Sequence, residues 1–352
     1  MSRKLLVLPN SDRRGASARY RVYQYLPALE RAGFTVETVV AVKSRRPLLR
    51  LLDRAREESR LLRAVRDADL VLIQKRLLSR HFVDRLRRAG KPIVFDLDDA
   101  IFTSPKGDWS AITRWRVRER LRRVLRASAL VLVGNDYLRS YVERDARRAV
   151  VLPTAVEIAR YRVKTDSGGD GVRIGWIGSR VNHRYLAPLT PVLQRLTEEI
   201  PRLRLVVVSD EDYAADGVAV ENRRWMEETE VEDLLTFDVG VMPLVDDEWT
   251  RGKCALKALQ YMAAGVPAVC SAVGVNNDVI EHGADGFLCA SEEQWHETLA
   301  RLAADPRLRR AVGCRGRETV ERRYSAEKMG TRLAALLDGL TCLSQHDSGS
   351  SQ

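Results

Sequence analysis

Short apolar runs and helical spacings alternate along the chain. In the first half, runs rich in Val, Leu and Ile occur at 5–8, 36–40, 70–73, 93–95, 130–133 and 150–152. Patterns of helical period lie between them, near 18–32, 47–66, 79–89, 109–127 and 136–145. The apolar runs are continuous rather than alternating, as in strands buried on both faces. They predict a parallel sheet with helices on each side. A polar, glycine-rich stretch at 165–171 (TDSGGDG) reads as a linker. Beyond it the alternation restarts, with strands predicted at 172–177, 203–209, 239–243 and 268–271. Helices are predicted at 183–199, 230–236, 253–264, 276–282, 292–304, 307–322 and 326–340.

The fold class is therefore α/β, with two successive doubly wound, Rossmann-like domains. The first is expected over 1–164 and the second over 172–325. The helix at 326–345 is expected to pack back toward the first domain, and the tail 346–352 to be disordered.

Composition agrees with globular domains: 45% of the 352 residues are hydrophobic and 30% charged. The net charge of +11 is uneven. Residues 1–160 hold 36 basic and 18 acidic side chains, and the remainder 23 and 30. No stretch approaches the roughly 18 apolar residues of a membrane span. The opening MSRKLLVLPNSD is too short for a signal-peptide core, so a cytoplasmic location is expected. The five cysteines all lie in the second half without metal-ligand spacing, which predicts reduced thiols and no zinc site.

Ligands of doubly wound sheets bind beyond the carboxyl ends of the strands, and several polar segments fall there. After the first strand come Gly15, Arg19 and Arg21. The small residues let backbone approach a ligand, and the guanidinium forks suit an anion or sugar hydroxyls. An ordinary loop with solvated arginines is the other reading. The fourth strand ends in Asp96, Asp98 and Asp99, a clustering of carboxylates that repel one another and resist desolvation. Asp98 or Asp99 would hold substrate hydroxyls or take a proton from one. A metal-binding D-x-D and a plain helix cap are the alternatives.

In the second half, Gly178, Ser179 and Arg180 form a strand–turn–helix start suited to an anion. The spacing is not G-x-G-x-x-G, so dinucleotide binding is unsupported. His183 reads as a polar residue at a helix start. Lys253, Lys257 and Gln260 share one face of the helix expected at 253–264, with Thr250 or Gly252 as its cap. Two lysines one turn apart repel mildly, which points to an anion between them. Gly274 and Asn276 lead into another helix start, which would either contact a sugar or phosphate or be capped with nothing bound.

With these residues in hand, the chain resembles a GT-B glycosyltransferase of the retaining family 4 (group 1). The matching stretches are GASARYRVYQYLPALERAGF (15–34), VFDLDDAIF (94–102), IGWIGS (174–179), 252–288 and RLRRAVGCRGRETVERRYS (307–325). The block at 252–288, GKCALKALQYMAAGVPAVCSAVGVNNDVIEHGADGFL, is the specific one. The resemblance implies two domains facing across a cleft, a nucleotide-sugar on the second and an acceptor on the first. It implies no metal and no cofactor, because basic side chains and helix N-termini stabilise the leaving diphosphate. Lys253 and Arg180 are then diphosphate candidates, and Gln260 occupies the place of an acidic ribose contact.

The family's paired glutamates, eight residues apart, are replaced here by Gly252 and Gln260. That departure raises altered donor choice or loss of activity, so an inactive scaffold and a GT-B-type nucleotide-sugar epimerase stand as alternatives. Retention by front-face attack follows from the resemblance. The acceptor is expected to be a glycan, a lipid-linked molecule or a small molecule.

The basic first half needs its own reading. Arg114–Arg126 holds seven arginines in 13 positions, and Lys43–Arg66 is a second such stretch. Val117, Leu121, Val124 and Leu125 form a helical stripe, so most of these arginines face outward. A solvated face and attraction to an anionic membrane both fit, with Trp109 and Trp115 suited to the interface. No nucleic-acid-binding motif appears, so that partner is not expected.

Overall fold

The structure, a computed structural model, describes residues 3–40, 50–165 and 171–349, without the side chains of 50–58 and 342–349. The predicted linker thus falls almost wholly outside the described residues, as does part of the Lys43–Arg66 stretch. The chain divides into two units, Met1–Thr154 with Ala326–Gln352, and Ala155–Ser325.

In the first unit the strands are β1 (Arg3–Leu8), β2 (Phe34–Thr38), β3 (Leu70–Gln74), β4 (Ile93–Leu97), β5 (Leu130–Val133) and β6 (Ala149–Val151). They form one parallel sheet in the order β2-β1-β3-β4-β5-β6. β3, β4 and β5 are buried at every residue, which accounts for their unbroken apolar sequence. The predicted helix at 18–32 is broken into α1 (Ala16–Arg21), a 3₁₀ turn and α2 (Leu26–Arg31), with Pro27 in the first turn of α2. α3 (Arg50–Asp67), α4 (Arg80–Arg88), α5 (Ala111–Ala127) and α6 (Asp136–Val142) complete the crossovers. Ser79 and Ser110 cap α4 and α5 by accepting from the third N–H of each helix.

In the second unit β7 (Arg173–Ile177), β8 (Arg204–Ser209), β9 (Val220–Arg224), β10 (Val239–Met242), β11 (Ala268–Ser271) and β12 (Phe287–Cys289) are also all parallel, ordered β9-β8-β7-β10-β11-β12. The edge strands β9 and β12 were not predicted. β9 reads VENRR and is never fully buried, and β12 has only three residues, so neither carries the apolar run of a central strand. The helices are α7 (Thr190–Glu199), α8 (Glu230–Leu235), α9 (Glu248–Arg251), α10 (Leu256–Ala263), α11 (Asn276–Val279), α12 (Glu292–Ala304) and α13 (Pro306–Arg323). α7 and α12 contribute Val192, Leu193, Leu196, Trp295 and Leu299 to one core cluster with the sheet. The predicted helix at 183–199 is α-helical only from Thr190, after two 3₁₀ turns around Pro188.

Two boundaries differ from expectation. Residues 155–164 go with the second unit rather than the first. Val156 N donates to Tyr324 O, Lys164 N to Ala264 O, and Lys164 Nζ pairs with Asp238 at 2.7 Å. The last helix, α14, runs from Ala326 to Gly349, so 346–349 are helical rather than disordered. Leu333, Leu337 and Leu340 of α14 join Tyr25 and Leu29 in the core of the first unit. Among the described residues no helix is long and apolar enough to cross a membrane.

Candidate functional site

Strand order reverses direction between β7 and β10, which opens a crevice at the carboxyl edge of the second sheet. Gly178 and Ser179 leave β7 there, and Ser179 begins the 3₁₀ turn Arg180–Tyr185. A Cβ on Gly178 would lie 2.7 Å from the Trp176 ring and 2.9 Å from Lys257 Cε. Only glycine lets the lysine stem pass this close. Lys257 Nζ lies 5.4 Å from the Trp176 ring centroid, and Lys253 Nζ lies 5.6 Å from those of both Tyr185 and Trp249. Lys257 is thus at the exit of β7 against the Trp176 face, while the Lys253 ammonium lies near the rings of Tyr185 and Trp249.

The helix carrying these residues begins later than predicted. α9 (Glu248–Arg251) is a separate turn closed by an Asp247–Thr250 capping box, so Thr250 caps that turn instead. α10 (Leu256–Ala263) starts after Ala255, whose φ of +52° lies in the left-handed region. Lys253 is therefore in the loop before α10 and does not share its helical face with Lys257 and Gln260. Ala255 has no side-chain acceptor to cap α10, so the helix start presents its first N–H groups without one.

The other expected residues of this half fall into different places. Arg180 donates its N–H to Asp210 at 2.6 Å, and its exposed guanidinium grips Glu211 through two bonds of 2.9 and 3.0 Å. Such exposed pairs contribute under about 1 kcal/mol and exchange readily for another anion. Half-buried His183 contacts Ser209 Oγ at 2.8 Å through Nε2. Burial lowers its pKa, against the pull of Asp210 and Glu211.

Gln260 is buried and donates to the Tyr161 hydroxyl at 3.4 Å, so it packs α10 against 155–164 instead of facing the crevice. Asn276 is also buried, and its Nδ2 donates to Ser271 O at 3.0 Å, which closes the loop after β11. Gly274, with φ +55°, brings that loop within 3.1 Å of Arg251 Cα, measured from the Cβ position it lacks. Beside these loops lies a cavity of about 460 Å³ lined by Tyr185, Leu244, Asp246, Ser271, Ala290 and Trp295, among others.

The first unit has its own crevice, where β1 and β3 diverge to opposite sides of the sheet. Asn10 N donates to Gln74 Oε1 across it at 3.0 Å. Gln74 Nε2 donates to Ser17 Oγ at 2.7 Å, and Ser17 donates onward to Asp98 Oδ2 at 2.6 Å. Lys75 Nζ lies 3.2 Å from Asp98 Oδ1 and also bonds Asp99. Lys75 itself has φ +55°, a conformation that strains a residue with a side chain. Burial alone would raise the Asp98 pKa. Lys75, Arg21 and the Ser17 hydroxyl outweigh it and hold the carboxyl below its ordinary value. Lys75, Gln74 and Ser17 escaped sequence reasoning; a Gln-Lys pair ending an apolar run was the available signal.

Arg21 is not an acceptor contact. It is buried, donates to Asp96 at 3.1 and 2.5 Å, and donates to Leu152 O at 2.6 Å. Burial would lower its pKa, but the Asp96 carboxylate outweighs that and holds the guanidinium charged. Arg19 is likewise buried, its guanidinium 4.9 Å from the Tyr20 ring centroid. Gly15 begins α1 with its N–H on Asp12 O. Asp96 is thus committed to Arg21 while Asp98 and Asp99 share Lys75. The described residues include no group of three His, Cys, Asp or Glu side chains arranged to hold one metal ion.

Comparison with known proteins gives three kinds of likeness. Residues 171–305 match the family profile described as "Glycosyl transferases group 1". A stretch of 76 residues is 36% identical to N-acetyl-alpha-D-glucosaminyl L-malate synthase of Bacillus anthracis, covering 21% of this chain and 20% of that protein. Sucrose-phosphate synthase from Thermosynechococcus elongatus superposes with a TM-score of 0.75 at 17% identity, covering 97% of this chain and 100% of the other. HepE of Anabaena, solved with UDP and glucose, gives 0.70 at 16% identity, covering 96% and 100%. At these identities the structural likenesses establish the shared fold.

Proposed function

We propose that the chain, whose residues 171–305 match the group 1 glycosyl transferase profile, transfers a sugar from a nucleotide-diphosphate sugar to an acceptor hydroxyl with retention of configuration. The observation that carries this reading is the pair Lys253 and Lys257 flanking the start of α10, with Lys257 at the exit of β7. Two cations at the positive end of a helix suit a diphosphate and neutralise the charge that develops as it leaves. They supply what a divalent ion supplies elsewhere, so the reaction is metal-independent. The neighbouring cavity of about 460 Å³ is large enough for the rest of the nucleotide.

Acceptor binding is assigned to the first unit. Asp98, kept ionised by Lys75 and Ser17, accepts a hydrogen bond from the acceptor hydroxyl and orients it. Asp99 assists through the same lysine. In transfer, the bond from the sugar's anomeric carbon to the diphosphate breaks. The acceptor oxygen bonds that carbon from the same face, and its proton passes to the leaving phosphate oxygen.

The test is a panel of UDP-, GDP- and dTDP-sugars read by thermal shift and saturation-transfer NMR, with product analysis by chromatography. Stabilisation by one donor series, followed by glycoside formation, is the expected result. A chain that responds to none of these nucleotides is not this enzyme. Gly252 and Gln260 favour a second reading as an inactive scaffold. It would be signalled by donor binding without transfer to any acceptor, whereas conversion of the donor to an epimer would identify an epimerase.

A further inference from the structure

α5 has two unlike halves. Its second half packs through Leu121, Val124 and Leu125, all buried. In its first half every residue from Ala111 to Arg116 is exposed, including Ile112 at 63% and Trp115 at 64%. At about 100° per residue, these two apolar side chains lie on the face opposite the buried stripe. They make an apolar tip pointed at solvent, one turn wide. Its surroundings are cationic. Arg116 and Arg120, beside the tip, are exposed and have no ion pair among the described residues, and exposed Lys106 lies in the preceding loop. Arg122, Arg123 and Arg126 differ, being paired with Glu119 or Asp145.

A tryptophan and an isoleucine ringed by cations that lack carboxylate partners fit a surface that is anionic outside and apolar just beneath. We propose that the first unit docks on an anionic lipid bilayer through the first two turns of α5. Ile112 and Trp115 enter the headgroup boundary, and Arg116 and Arg120, flanking them, meet the lipid phosphates. The position has a consequence for chemistry. α5 follows β4, so it starts at the same carboxyl edge of the sheet as Asp98 and Asp99. Docking there brings a lipid-borne hydroxyl to that edge. Only this last step rests on the glycosyltransferase reading; the docking surface stands without it.

The test uses the full chain with phosphatidylcholine vesicles, with and without phosphatidylglycerol, at low and high salt. Co-sedimentation with the anionic vesicles at low salt, its loss at high salt, and a blue shift of tryptophan emission are expected. Each exposed arginine near the surface changes partitioning about fivefold, so Arg116→Gln and Arg120→Gln together should weaken it about 25-fold. Ile112→Ser with Trp115→Ser should abolish the emission shift. Nucleotide binding in the same samples should not change, which separates lost docking from lost folding and from failure of the enzymatic reading. Absence of vesicle binding at low salt would overturn the proposal. So would retention on nucleic acid with vesicles ignored, or a dimer that the same serine substitutions dissociate.

Discussion

Lys75 holds its ammonium between Asp98 and Asp99, 3.2 Å from Asp98 Oδ1, from a backbone position in the left-handed region. Strain at one residue and three charges in one half-buried cluster persist only where the surrounding structure enforces them.

Lys75→Met therefore should act on acidity and on stability together. Asp98 is held below its ordinary pKa against burial, chiefly by Lys75. Without the lysine its pKa rises, and the acid limb of the transfer–pH profile moves to higher pH. A depressed carboxyl pKa contributes stability above the unfolded value and loses it as pH falls through the folded one. The wild-type chain should thus lose this contribution under acid conditions, and the variant should lack it at neutral pH, by about 3 kcal/mol. Urea titrations across pH check the sign. A variant whose acid limb stays in place would remove Lys75 from the control of Asp98.

Arg21→Lys tests a buried fork. A lysine cannot reproduce two bonds to Asp96 and a third to Leu152 O. Unfolding free energy should fall by about 3–5 kcal/mol, while nucleotide affinity, assigned to the other unit, stays as it was. Unchanged stability with lost acceptor binding would return Arg21 to the surface role its sequence position implied.

That contrast marks what sequence could and could not convey. Continuous runs such as Leu70–Gln74 and Leu130–Val133 announced buried parallel strands, because burial on both faces leaves no polar register. Polar VENRR concealed β9 for the converse reason. Carboxyl-edge residues stood out as a class, but partner choice did not. Nothing local in the sequence separates Asp96, locked to Arg21 75 positions away, from Asp98, which faces Ser17 and Lys75. Nor does periodicity reveal that Ala255 turns left-handed and leaves Lys253 outside α10.

Lys253→Ala and Lys257→Ala should each weaken nucleotide-diphosphate binding, by roughly 10-fold or more if each makes a charge-assisted bond. If both hold the same diphosphate, the double variant should depart from additivity. Calorimetric titration with the diphosphate that the donor panel selects measures the cycle. Full affinity in either single variant would take that lysine out of the site.

Gln260→Glu asks whether the amide is a lapsed catalytic feature or a packing residue. Gln260 is 4% exposed and its amide nitrogen donates to the Tyr161 hydroxyl at 3.4 Å. A carboxylate there cannot donate, so Tyr161 must turn its hydrogen toward it, and the charge is buried. Stability should fall by about 1–3 kcal/mol at neutral pH. The introduced carboxyl should have a raised pKa, so protonation in the folded state should return part of that loss as pH falls. Donor affinity should not rise, because the side chain lies beneath α10 and not at the crevice. Tighter donor binding or faster transfer in Gln260→Glu would instead show that the position faces the ribose and that glutamine had diminished the enzyme.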